Sequence, residues 1–173
     1  MGWLQMRRLV IGGISGILVL SVVLAACGGS TTGSSGDQAR RFQDMWEIDQ
    51  IEKDFHRAQT KKDIDLMLSL YAPNATMTVG PGETAAGLDE IRQFWLDKSA
   101  PFAPDNTWLS DHPAYKLEIT VDGDRGTLHF ECHYVNIETG EVEAATTADF
   151  DVARIDGNWL ITNLVGGTTV LEV

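Results

Sequence analysis

Cysteine is scarce: the 173-residue chain has only Cys27 and Cys132. At most one disulfide could form, and none if Cys27 is used otherwise, so the fold must be held by its core. Basic residues are also few. The 13 Lys and Arg face 25 Asp and Glu, a formal charge of −12. Nucleic acid needs a basic surface, and no basic run is longer than two residues, as at Lys61-Lys62, so no nucleic acid partner is expected. Anionic headgroups would be repelled as well. Several catalytic signatures are missing. There is no G-x-S-x-G, the turn that exposes a nucleophilic serine. The glycines of "GPGETAAG", Gly80 to Gly87, lack the strand and the spacing of a phosphate cradle. No repeat period is present, and no cofactor is expected.

One long apolar run exists, and it lies at the N-terminus. Arg7 and Arg8 precede Leu9 to Ala26, which ends in small residues. That is the layout of an export signal. The run is marginal for a span of about 20 apolar residues. Leu24-Ala25-Ala26-Cys27-Gly28 resembles the lipobox of bacterial lipoproteins. The resemblance implies cleavage before Cys27 and lipid on its thiol; an uncleaved anchor helix is the alternative. Residues 1–26 are then a signal peptide, and 27–38, "CGGSTTGSSGDQ", a flexible Gly/Ser tether. Residues 39–173 make one domain, expected in the cell envelope, outside the cytoplasm, and held to a membrane through Cys27.

The first part of that domain has helical spacing. Phe42, Met45, Trp46, Ile48, Ile51, Phe55 and Ala58 recur at gaps of mostly three and four. A second helix is expected over Lys62 to Tyr71, stopped by Pro73, and a third over Leu88 to Ser99. Ala75 to Val79 reads as a short strand, Gly80 to Gly87 as a loop. The second part alternates with a period of two. Strands are expected at Tyr115–Val121, Thr127–Ile137, Val142–Ile155 and from Trp159, joined by "DGDRG", "ETGE" and "DGN". Such turns make antiparallel hairpins. Helices followed by a meander give an α+β domain with the helices on one face of the sheet.

"IEKDFHRAQTKKDIDLMLSLYAPNATM", Ile51 to Met77, and "ARIDGNWLITNL", Ala153 to Leu164, resemble the opening and closing segments of SnoaL-like domains in the nuclear transport factor 2-like superfamily. The resemblance implies a cone: a curved antiparallel sheet around the N-terminal helices, enclosing an apolar pocket. Some members are isomerases, dehydratases or cyclases; others only bind ligands or dimerise, so fold does not settle function. Phe150 stands where related enzymes often carry an Asp, which speaks against proton abstraction.

Alternation assigns the pocket side of the strands. Leu128, Phe130, Cys132 and Tyr134 share one face, as do Ala144, Thr146, Ala148, Phe150 and Val152. Trp159 and Ile161 share one with Asn163. With Phe55, Tyr71 and Trp95 from the helices, these make an apolar lining with a few polar points. The candidate catalytic side chains are Asp54 and His56, as orienter and base, with Tyr71 as a donor. The alternatives are a solvated helix side for the charged run Glu52 to Arg57 and a core role for Tyr71. Trp108 is either a lid or an exposed contact. His129, Glu131 and His133 share the opposite face. His129 and His133 stand roughly 13 Å apart at the strand rise, too far for one zinc ion with bonds of about 2 Å. Cross-strand pairing or a homodimer contact through the sheet fits them better, and no metal is expected. Three functions follow: binding of a small apolar molecule or a protein partner, isomerase/dehydratase/cyclase chemistry, or a structural role in an envelope complex.

Overall fold

The computed structural model describes residues 35–110 and 114–171. The signal, Cys27 and the start of the tether lie outside the described residues. Helix α1 runs Ser35–Lys61, so positions 35–38, expected as tether, are helical. Ile48, Ile51, Phe55 and Ala58 form its buried stripe, as their spacing dictates. The helix ends at Lys62, whose φ is 53°. Asp63 then caps α2, Ile64–Ser69, by accepting from the Leu66 N–H at 2.9 Å. This second helix is shorter than expected, because Tyr71 already belongs to β1, Tyr71–Val79. The anticipated loop contains a short strand, β2, Glu83–Ala86, and leads into α3, Gly87–Asp97. A 3-10 turn, Ala100–Phe102, and β3, Trp108–Leu109, follow.

Strands β4 (Lys116–Asp122), β5 (Arg125–Asn136), β6 (Val142–Ile155) and β7 (Asn158–Val170) form the meander. At the β6–β7 corner, Asp156 and Gly157 take φ values of 50° and 86°. Positive φ at both central residues lets a two-residue turn match the strand twist. The sheet order is β2-β1-β7-β6-β5-β3, with β4 also on β5. All pairs are antiparallel except β1 with β7, which is parallel. The sheet is therefore mixed, not wholly antiparallel. A parallel pair needs a long crossover, and here everything between Val79 and Asn158 supplies it.

The inner faces of β5 and β6 follow the alternation: Leu128, Phe130, Cys132, Tyr134, Ala144, Ala148, Phe150 and Val152 are buried against the helices. Strand β7 breaks the rule. Val152 pairs with Ile161 but Asp151 pairs with Asn163, so Thr162 is an extra residue. This bulge reverses the parity beyond it. Leu164 turns inward in place of Asn163. Arg154 ties the last hairpin to α1: its guanidinium pairs with Asp44 and lies 3.3 Å from Glu47. It also lies 4.7 Å over the Trp159 ring.

Candidate functional site: an apolar cavity between sheet and helices

A cavity of about 230 Å³ opens between α1, α3 and the far ends of β5, β6 and β7. Its walls include Phe55, Phe94, Trp95, Pro101, Ala148 and Leu164. Tyr134 and Trp108 stack in one wall, with ring centroids 5.0 Å apart and planes at 21°. The Trp108 ring N–H donates to Glu143 at 2.6 Å. Trp108 is thus a wall of the cavity and not a free surface contact. Its polar points include Gln59, Tyr134 and Thr146, with Ser99, Thr147 and Thr168. The Tyr134 hydroxyl donates to Gln59 Oε1 at 3.1 Å, and Thr146 donates to the Gly167 carbonyl at 3.0 Å. Burial pushes the Tyr134 phenol well above its usual range, so it stays a neutral hydroxyl. Among the described residues the lining has no carboxylate and no imidazole, and its one cation, Lys98, sits exposed at the rim and pairs with Glu83 at 2.9 Å. Lys62 fixes the adjoining loop by donating to the carbonyls of Ala103, Pro104 and Asn106 at 2.6, 3.0 and 3.0 Å.

The structure separates the expected site residues. Phe55, Trp95, Tyr134 and Thr146 line the cavity. Leu128, Phe130, Phe150 and Trp159 do not; they are core side chains, because the inner layer of this small domain packs closed below the cavity. Asn163 lies on the outer face, where Thr76 donates to it at 2.8 Å and it donates to Asp151 at 3.3 Å. The Thr162 bulge is the reason. Tyr71, on β1 and not on a helix, is buried against Met77, with its hydroxyl 4.0 Å from the sulfur. It is absent from the cavity wall, and burial raises its pKa, so it is a core tyrosine here.

Asp54 does not orient His56. It pairs with Arg57 on the half-exposed side of α1. The partner of His56 is Glu52, one turn earlier, and both are buried, at 1% and 3% exposure. Nε2 and Oε1 are 3.2 Å apart, though not aligned as a hydrogen bond. The solvated-side expectation fails for these two residues because α1 is covered on two flanks. On the other side of the ring, His56 Nδ1 is 3.8 Å from Cys132 Sγ. Cysteine, histidine and glutamate thus stand in the order of nucleophile, base and orienter. The group is nevertheless sealed. None of the three lines the cavity, and burial, with the charge of Glu52, pushes the thiol up to about 12. A thiol in that state is inert.

On the outer face, His129 Nδ1 meets Asp149 at 2.8 Å, its Nε2 meets Glu131 at 3.3 Å, and Lys116 meets Glu131 at 2.9 Å. His133 stacks on Tyr115, centroids 4.7 Å apart. All but His129–Glu131, which are neighbours on one face of β5, are cross-strand pairs. Burial alone lowers the His129 pKa, but Asp149 and Glu131 outweigh it and hold it above the ordinary 6.5. A raised histidine pKa adds stability below the unfolded value, and the addition fades as pH rises through the folded value. His129→Gln should therefore cost stability at about pH 5.5 and almost none at about pH 8.5. Thermal unfolding at both pH values checks this, and an equal cost at both would refute it.

Gln59, Lys62 and Glu52 were not legible as site or core residues from the sequence. Gln59 could have been found, since it falls four positions after Phe55 on the same helical stripe. Lys62 gives no local signal.

Fold and cavity define a cone-shaped α+β protein of the nuclear transport factor 2-like class. The chain belongs to the SnoaL-like domain family, which matches residues 40–165. Among solved structures it is similar to a nuclear transport factor 2-like protein with a cystatin-like fold from Novosphingobium aromaticivorans. That match has a TM-score of 0.66 at 15% identity, covering 79% of this chain and 88% of that one. It is also similar to a hexachlorocyclohexane dehydrochlorinase from Novosphingobium barchaimii, with TM-score 0.61 at 19% identity over 78% and 94% of the two chains. A ketosteroid isomerase-like protein from Erwinia carotovora atroseptica gives 0.54 at 19% over 73% and 97%. At such identities the likeness shows the fold alone. No curated protein matches the sequence.

Proposed function

We propose that this chain is a lipid-anchored envelope protein whose domain holds a small apolar molecule in the cavity between sheet and helices. The observation that carries the reading is the lining: aromatic and aliphatic walls with a few polar points and, among the described residues, no carboxylate or imidazole. This is the composition of a binding pocket, and acid–base chemistry needs a titratable group within reach of the substrate. At about 230 Å³ the cavity sits below the usual range of about 300–1,000 Å³, which favours a small ligand. Native mass spectrometry of protein purified from its host should show a retained small molecule. Ala148→Trp, which fills the cavity from β6, should lose it. A mass equal to lipidated polypeptide alone, with or without the substitution, would sink the binding reading. The anchor is tested separately: Cys27→Ser should abolish incorporation of a labelled fatty acid.

A second reading, catalysis on a small apolar substrate, is favoured by one observation, the buried Glu52–His56 pair. It requires the pair to reach substrate past Phe55, which packs edge-on to His56 with centroids 6.0 Å apart. If the retained molecule changes mass on incubation, and Glu52→Gln stops the change without releasing it, this reading replaces the first.

A further inference from the structure

Two large aromatic side chains of α1 are left outside the domain. Phe42 and Trp46 are each 62% exposed. They are four positions apart, so they lie one above the other on a single helical face. Every residue from Ser35 to Gln43 is exposed, and Asp44 is the first buried one. The opening turns of α1 therefore stand clear of the core that the rest of the helix helps to build. Water-exposed Trp and Phe on adjacent turns are unfavourable unless something covers them.

The position of the patch in the chain says what covers it. Resting on the lipid-anchor reading above, we infer that Phe42 and Trp46 dip into the bilayer surface that holds the protein. Fully extended, the stretch from Cys27 to Ser35 reaches at most about 28 Å. Phe42 lies about 10 Å further along the helix at its rise per residue. The anchor thus confines the patch close to the lipid whatever path the tether takes. Confinement raises the effective concentration of surface to the millimolar range or above, so a weak insertion becomes occupied. Tryptophan is the side chain most at home at headgroup depth.

Charge permits the contact although the chain as a whole is acidic. The acids nearest the patch are already engaged: Asp44 and Glu47 by Arg154, and Asp49 by Lys53. Arg40 and Arg41 precede Phe42 directly, and both are exposed, with Arg40 3.8 Å from Asp124. The helix end therefore offers aromatic and cationic groups, as surface-seated helices do, while the acidic remainder favours holding the domain away from the headgroups. Such an arrangement would give the tethered domain one orientation on the membrane.

Tryptophan emission can test this directly. Trp95 and Trp159 are buried and Trp108 is half-buried, whereas Trp46 is exposed. Lipidated protein is reconstituted into phosphatidylcholine vesicles, with and without brominated acyl chains. Bromine should quench part of the wild-type emission, and the remaining emission should match that of Trp46→Phe. Trp46→Phe itself should show no quenching. Because Phe42 and Trp46 are exposed, Phe42→Ala should fold normally, and it should reduce the quenching of Trp46. Protein that sediments with vesicles but shows equal emission in both lipids overturns the inference and leaves the anchor intact. If that protein is a dimer in detergent, the patch belongs to a second copy, which overturns it equally. Protein that carries no fatty acid and stays in solution removes the anchor reading and this one together.

Discussion

Glu52→Ala will unfold at a clearly lower urea concentration than the wild type, with a loss of about 3–5 kcal/mol. The cost has a definite source. Glu52 and His56 are almost fully buried and 3.2 Å apart. Each is the other's nearest polar partner in a layer otherwise made of Phe55, Phe130 and Cys132. Removing one leaves a polar group in a site that water does not reach, and the desolvation penalty of that group is then uncompensated. His56→Ala should cost a similar amount. The double variant Glu52→Met/His56→Leu removes both groups at similar volume, and should recover most of the loss or exceed the wild type by about 1–4 kcal/mol. A double-mutant cycle on urea midpoints measures the coupling. If the two single losses simply add in the double variant, the pair is not the interaction described here.

Phe130→Ala should lose about 3–5 kcal/mol. Phe130 is wholly buried, at 0% exposure. Its ring meets Phe55 at 5.7 Å, Phe150 at 5.5 Å and His56 at 4.8 Å between centroids. The cluster joins α1 to β5 and β6, so the deletion opens a void in the layer where helix and sheet meet. Edge-to-face contacts add to the area term. A domain of this size has only about 5–15 kcal/mol in total, so the variant will be marginal at 37 °C. The reading is a lower midpoint in urea with an unchanged slope. A loss below about 1 kcal/mol would mean the layer relaxes into the space. Since Phe130 does not line the cavity, ligand retention in the folded fraction should persist.

These two effects fall on residues the sequence treated very differently. Phe130 was legible as an inward residue, because strand alternation is enforced by the pleat itself and needs no knowledge of distant segments. The same logic placed Leu128, Cys132, Tyr134, Thr146 and Phe150 correctly on the inner face. It could not divide that face into closed core and open cavity. That division depends on how far α3 and the 100–110 segment stand off from the sheet. Glu52 and His56 stand in a charged run whose local reading is either a solvated side or a catalytic pair with Asp54, and the structure buries both. A helix stripe is read from local hydrophobicity, whereas the burial of a polar residue depends on what packs beside it.

What the sequence determined by itself is the local grammar: helices first, then a meander whose Asp-Gly and Thr-Gly turns set the hairpins, with the inward side of β5 and β6. The α+β class and the family likeness follow from that order. Tertiary structure decided the rest. It laid β1 parallel to β7, and it inserted Thr162 as a bulge that exchanged Asn163 for Leu164 at the inner face. It also brought Trp108 and Gln59 to one cavity and sealed the Glu52–His56 turn of α1 from water. All of these join segments far apart in the chain or depend on closing the sheet around α1. Local periodicity carries no information about such closure, since it fixes which way a side chain points but not what it meets.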